Sequence, residues 1–429
     1  MDLLILFGSL IVLMLIGVPI SFSMGLSGTL FLIVTGQTDI LIMIPNRMVM
    51  ALDSYGLMAI PFFYLAGSLM LIGGLTLRLV AFSRAMIGHV TGGLSLVNVI
   101  ASMIFAGVSG SCVADASAIG SVMIPAMKKD RYPAEFAAAV TASAATCGHI
   151  IPPSIPMVLI GVMEELPIGK LFIAGAIPGI LLGLSLMGTA YVISRRRNYP
   201  REERRSTLRE MAVAFRDGFL TLIMPGIVVG GILLGVVTIT ETGVLASMYA
   251  LVLGFFYREI RWDNFWAIAK ETAKGVSNLL IILAAAGFFG YVVMNTGVGD
   301  QLVALILSIS NDKWMVLTML VIFLLIIGCG LDVLAIIFIF VPVMYPLILK
   351  VGINPYHFSA VFVLSLGIAL LTPPVGVLLY LATDMAEARL FNVIRELWPF
   401  LVAEVAIMLL VTYVPVLSTW LPALFSASR

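Results

Sequence analysis

The sequence predicts an all-α polytopic membrane protein built from two inverted-topology repeats, each with five crossings, a re-entrant helical hairpin and a proline-broken helix. Three observations carry that prediction. Of 429 residues, 61% are hydrophobic and 11% charged, with a mean hydropathy of +1.13, whereas a soluble chain keeps about a quarter of its residues charged. The apolar runs have helix length, unlike the ~10-residue alternating segments of a membrane barrel. Finally, landmark residues recur at a steady offset of 217–223 positions, which divides the chain into two similar halves.

Taken in order, the first candidate spans are 3–17 and 19–36, parted at Gly17-Val18-Pro19, then 57–75. The first run flows into the second without a small-residue cleavage site, so a signal peptide is not expected. These elements fall within residues 1–90, read as scaffold. An apolar stretch at 92–127 is interrupted by Ser109-Gly110-Ser111 and reads as a re-entrant hairpin. A helix at 134–163, broken at Pro152-Pro153, and a helix at 168–194 complete the first repeat, 1–194. Residues 195–218, opening on RRRNYPREERR, form a basic cytoplasmic linker and an interfacial helix.

The second repeat, 219–429, has candidate spans at 219–237, 241–257, 278–296 and 397–418. Its hairpin at 314–350 is interrupted by Gly328-Cys329-Gly330, and its broken helix is 355–382. Segments 40–52, 205–218 and 262–277 are amphipathic and read as lying along the interface.

Charge tests this layout. With the N-terminus outside, 19 of the 24 Lys and Arg fall in internal segments, and only Arg47, Lys170, Lys313, Lys350 and Arg429 lie elsewhere. That asymmetry follows the positive-inside rule, and reading either hairpin as a full crossing would destroy it.

The repeat is carried by specific residues. Asp115 and Asp332 each precede a proline, Pro125 and Pro342, by ten positions. Pro133 and Phe136 match Pro355 and Phe358, and Pro152-Pro153 match Pro373-Pro374. An odd number of crossings in each half places the second upside down relative to the first. Inverted repeats with discontinuous helices are a recurrent plan of secondary transporters, whose site lies at midplane between the repeats.

Proline removes a donor and clashes with the carbonyl four residues back. Pro152 and Pro153 are therefore expected to free the carbonyls of Gly148 and His149, and Pro373 and Pro374 those of Ala369 and Leu370. A freed carbonyl at bilayer depth is costly unless something satisfies it, and a Na⁺ ion takes such oxygens. The hairpin tips add hydroxyls at Ser109 and Ser111, and helix N-termini that favour an anion. No Lys or Arg sits at predicted midplane depth, so a substrate carboxylate is expected to meet hydroxyls, helix termini and bound Na⁺. Asp115 and Asp332 are intramembrane acids, open to three roles: cation ligand, acceptor behind a ligand, or helix-start acid. Glu241 and Asp53 are read as interfacial and solvated.

The remaining signals exclude more than they assign. Cys112, Cys147 and Cys329 have no paired spacing and read as packing residues. His89, His149 and His357 are scattered. No GxSxG, HExxH, Walker A or dinucleotide fingerprint occurs, so the chain is not read as an enzyme. A net charge of +1 gives no reason to expect a nucleic-acid partner.

The run FAGVSGSCVADASAIGSVMIPAM, then CGHIIPPS, then the second hairpin followed by LTPPVG, resembles the large membrane subunit (DctM/SiaM, the M component) of tripartite ATP-independent periplasmic (TRAP) transporters. The resemblance covers essentially the whole chain. It implies the bacterial inner membrane with a periplasmic N-terminus, and Na⁺-driven import of an organic acid of the sialic acid or C4-dicarboxylate class, delivered by a periplasmic binding protein. It also implies an elevator motion of hairpins and broken helices against a scaffold. Because the chain begins at the first M-like span, the small four-helix Q subunit is expected as a separate chain.

Carried onto matching positions, the resemblance puts one Na⁺ site at Ser109, Ser111, Gly148, Ile151 and Pro153, and a second at Gly328, Ala369, Thr372 and Val375. The substrate is then expected beside Ser109, Gly110, Ser111, Ser154, Gly330 and Thr372. Cys329 departs from the first tip, where a hydroxyl stands. Alternative readings are a stand-alone divalent-anion/Na⁺ symporter, a channel, or a non-transporting membrane scaffold or enzyme.

Overall fold

A computed structural model describes residues 2–427 apart from 73, 202–203, 234 and 374–375. The regular secondary structure of the described residues is all helix, with no strand among them. Six helices have the length and hydropathy to cross a membrane, or nine if each bent pair counts as one span.

The first two helices, α1 (Asp2–Leu15) and α2 (Ile20–Val34), are shorter than the predicted spans. Gly17 and Gly36, at φ +92° and +72°, lie just beyond their C-terminal ends in a backbone region open mainly to glycine. A 3-10 turn leads into α3 (Ile44–Leu52), which bends by 58° against the segment carrying α4 (Ala59–Ile72). Helix α5 (Leu75–Ile87) precedes the first hairpin, α6 (Gly93–Ser109) and α7 (Cys112–Lys129), whose arms pack together. The first broken helix comprises α8 (Ala134–Ala145), α9 (Cys147–Ile150) and α10 (Ile155–Met163), followed by α11 (Ile168–Arg196).

Two predicted boundaries dissolve here. The interfacial segment 205–218 runs without a break into its span as α12 (Leu208–Leu233), and 262–277 does the same as α14 (Trp262–Asn295), with α13 (Ile239–Phe256) between them. At 34 residues, α14 is about 51 Å long, well beyond the ~30 Å hydrocarbon core. Its charged first turns therefore extend the span out of the hydrocarbon.

Helix α15 (Val298–Ile309) turns by 118° into α16 (Lys313–Gly328), the first arm of the second hairpin, and α17 (Val333–Lys350) is the second arm. The second broken helix is α18 (Pro355–Ala369) and α19 (Val377–Ala386). The expected last span, 397–418, is instead split by a 56° bend at Val414-Pro415 into α20 (Leu390–Tyr413) and α21 (Val416–Ala427), because Pro415 has no N–H to continue the helix.

The broken helices form the core. In α8, every residue from Phe136 to Ala145 is buried. Its alanines let α6, α7, α19 and α20 approach closely, as small residues do between membrane helices. In α18 every residue from His357 to Ala369 is buried, and the His357 ring ties it to Ser418 (2.8 Å) and the Thr412 carbonyl (3.2 Å). The halves interlock: α10 packs on α17 and α18, while α19 packs on α7 and α8.

Candidate functional site at the hairpin tips

The first tip is built by glycine geometry. Gly110 ends α6 at φ +64°, where a side chain would be strained. A Cβ there would also lie 2.8 Å from the Pro153 carbonyl oxygen. Reversing at Gly110 lets Ser111 start α7 as its N-cap, its hydroxyl accepting from Ala114 N at 3.5 Å. The tip is then stitched into the break of the next helix: Ile155 N donates to Gly110 O at 3.2 Å. Tip and break, found separately in the sequence, are one structure.

Around this junction lie the other expected residues. The Ser109 hydroxyl donates to Asp115 Oδ1 and accepts from Ser111 N at 3.3 Å. Gly148 faces the same carboxylate, and a Cβ on it would overlap Asp115 Oδ2 and sit 3.2 Å from Cys112 N. Ile151 ends α9 in extended geometry. Ser154 caps α10, accepting from Met157 N at 3.2 Å. Ser109, Gly110, Gly148 and Ser154 are buried, and Ser111 and Ile151 are half-buried. Asp115 is thus an acceptor behind Ser109, and its Oδ2, fully enclosed, has no hydrogen-bond partner.

The second tip is more open. Gly328 packs so tightly that a Cβ on it would overlap the Ala369 side chain, and this contact joins tip to break as Gly110 and Ile155 do in the first half. Gly330 and Asp332 are exposed. Asp332 is the N-cap of α17, accepting from Leu334 N at 3.0 Å, which is the helix-start role. Thr372 donates its hydroxyl to Ile368 O at 2.9 Å. The Cys329 thiol turns back onto Leu325 O at 3.0 Å, inside its own helix. Pro374 and Val375 lie outside the described residues.

One expectation is corrected. Of the four carbonyls expected to be orphans behind the prolines, three are not: His149 O accepts from the Ser154 hydroxyl. Ala369 O accepts from Thr372 N at 3.1 Å, and Leu370 O from Leu378 N at 3.1 Å. Each break folds back far enough for downstream donors to replace the missing proline N–H. Each of these three carbonyls keeps a second lone pair, so they are half-satisfied oxygens, not bare ones.

Sequence reading passed over Glu404, although it is the one charged residue within 397–418 and an intramembrane acid is a functional signal. It is fully buried on α20. The Thr146 hydroxyl, beside the first break, shares its proton between Ser143 O (2.7 Å) and Glu404 Oε1 (3.2 Å). Thr146 also meets α18: a Cβ on Gly367 would lie 3.6 Å from the Thr146 Cβ. The two broken helices cross there.

Residues 7–417 match the family profile described as "Tripartite ATP-independent periplasmic transporter, DctM component". The chain belongs to the DctM family. It is a multi-pass membrane protein and a TRAP transporter large permease. Among its relatives is the "Sialic acid TRAP transporter large permease protein SiaM" of Vibrio cholerae, 35% identical over 95% of this chain and 96% of that protein. Another is the "C4-dicarboxylate TRAP transporter large permease protein DctM" of Rhodobacter capsulatus, 35% identical over 99% of both. Among solved structures, the YdaH transporter of Alcanivorax borkumensis superposes with a TM-score of 0.60 at 14% identity, covering 88% of each chain, a likeness of fold alone.

Proposed function

We propose that this DctM-family chain imports an organic acid of the sialic acid or C4-dicarboxylate class across the bacterial inner membrane, coupled to Na⁺. The observation that supports it best is the joining of each hairpin tip to a proline break, by the 3.2 Å bond from Ile155 N to Gly110 O and by the Gly328–Ala369 contact. This gathers neutral oxygens and helix N-termini in one place, the combination used to hold small cations and carboxylates together.

The residues present fit Na⁺ as a cotransported ion. Hydroxyls of Ser109 and Ser111 and carbonyls of Gly148, Ile151 and Pro153 are hard oxygen donors, and the unpartnered Asp115 Oδ2 adjoins them. At the second tip the donors are the Gly328 and Ala369 carbonyls and the Thr372 hydroxyl, whose lone pairs stay open because it donates to Ile368 O. The substrate carboxylate belongs between these groups, beside Gly110, Ser154 and Gly330.

The halves 1–194 and 219–429 are taken as inverted repeats. The crossing at Thr146 and Gly367 supports this, since positions 221 apart in sequence meet in space, as they do across a pseudo-two-fold axis. The hairpins and broken helices, interlocked through α10 on α17 and α19 on α7, form the part that slides against the scaffold helices in an elevator step. The N-terminus is periplasmic, by the charge asymmetry of the loops. A Q subunit and a periplasmic binding protein complete the system.

The test is uptake into proteoliposomes holding the chain with its Q subunit. Uptake of succinate or N-acetylneuraminate is expected only with an inward Na⁺ gradient and added binding protein. Equal uptake of the free acid without binding protein would favour a stand-alone symporter, and uptake indifferent to Na⁺ would refute the coupling.

A further inference from the structure

A cavity of about 610 Å³ opens away from the hairpin tips, within the 300–1,000 Å³ range of small-molecule pockets. One wall is Arg47 of α3, within the scaffold segment 1–90, and Tyr291 of α14, which packs on α2, α3 and α4; the other carries Tyr345 and Pro342 of the second hairpin and Glu164 after α10. Each charged lining residue (Arg47, Asp53, Glu164, Glu165) belongs to a segment that the charge asymmetry places at the periplasmic face of the membrane. The cavity thus lies between the two bodies that an elevator step moves past each other, on the side from which substrate arrives.

We propose that Arg47 receives the carboxylate of the incoming acid in this cavity, before the substrate reaches the hairpin tips. The proposal rests on the acid-import reading above. Arg47 is held in place from below: a Cβ on Gly287 would overlap Ala51 and lie 3.2 Å from Arg47 O, so α3 lies flush on α14. This sets the guanidinium 3.9 Å from the centre of the Tyr291 ring. Its Nε is enclosed without a hydrogen-bond partner, and Arg47 forms no ion pair among the described residues.

A flat, ring-stacked guanidinium with donors to spare is the group that binds carboxylates in bidentate fashion. Asp53 and Glu165 are exposed at the rim, where water and salt screen them. Burial pushes Glu164 up to about 8, so near neutrality it is mostly uncharged and can donate to a carboxylate instead of repelling it.

Arg47→Gln, Arg47→Lys and Tyr291→Phe are compared with wild type for uptake of succinate and N-acetylneuraminate in the reconstituted three-component system. For whichever acid wild type takes up, Arg47→Gln raises KM by about 10–100-fold, the range for losing a charged hydrogen bond, with Vmax little changed. Arg47→Lys, which keeps the charge but loses the fork, falls between. Tyr291→Phe, which keeps the ring, stays within about twofold. An unchanged KM in both Arg47 variants overturns the proposal, and so does a lower Vmax at unchanged KM, the mark of a purely structural residue. Wild type taking up neither acid would instead refute acid import, and this proposal with it.

Discussion

Replacing Ser109 by Ala removes the one hydroxyl that serves the buried carboxylate at the first tip. Ser109 donates to Asp115 Oδ1 and accepts from Ser111 N at 3.3 Å, while Asp115 Oδ2 already lacks a partner. A buried hydrogen bond of this kind contributes about 0.5–1.5 kcal/mol net. Asp115→Ala removes the acceptor outright, as Ser109→Ala removes the donor. In a double-mutant cycle of Ser109→Ala and Asp115→Ala, the coupling should therefore be about 1 kcal/mol. The assay is denaturant unfolding of the four proteins in mixed micelles without Na⁺, followed by helical circular dichroism. Additivity of the two changes within about 0.5 kcal/mol, the usual limit for independent sites, would falsify the assignment of Asp115 as the acceptor behind Ser109.

Gly110→Ala should cost more than Gly36→Ala. Both positions have positive φ, +64° and +72°, and share a strain of roughly 1–2 kcal/mol, but only at Gly110 does a Cβ meet Pro153 O at 2.8 Å, with nothing within 4 Å at Gly36. The excess should be about 1–3 kcal/mol of overpacking, with uptake lost at Gly110 and kept at Gly36; equal melting temperatures would contradict the packing of tip against break. Glu164 sets a pH dependence. Its folded value of about 8 lies above the ordinary 4.5, through burial, so its contribution is fully present below about pH 4.5 and is lost as pH rises through about 8. Melting temperature should decline across that window in wild type and less in Glu164→Gln, and parallel profiles would count against a buried Glu164.

What the sequence disclosed, and what it hid, follows the range of the interactions. Ser109-Gly110-Ser111 and Pro152-Pro153 were readable because glycine and proline act on their own backbone, whatever surrounds them. The continuity of α12 and α14 was hidden, because a charged amphipathic segment looks alike whether it lies on the interface or prolongs a span. The fate of the proline-freed carbonyls was also hidden: Ser154 and Leu378 reach back to His149 and Leu370 only after the chain has turned. Glu404 was visible as a lone acid in an apolar run, but its meeting with Thr146, 258 positions away, was not. For Asp332 the sequence left three roles open, and the structure makes it the N-cap of α17. Arg47 stood out as one of five cations outside the basic segments, whereas its seat on Tyr291 depends on α3 crossing Gly287.

The oxygens at the joined tip and break should hold Na⁺. The direct measurement is binding of radiolabelled Na⁺ to the purified protein by scintillation proximity, with choline as counter-cation. Wild type should bind saturably. Ser111→Ala should remain folded and bind the ion at the first tip about tenfold or more weakly, the effect of losing one interaction with a charge. Pro153→Ala, which restores a backbone donor at the break, should act in the same direction. Saturable binding unchanged in both variants, or none in wild type, would contradict the claim.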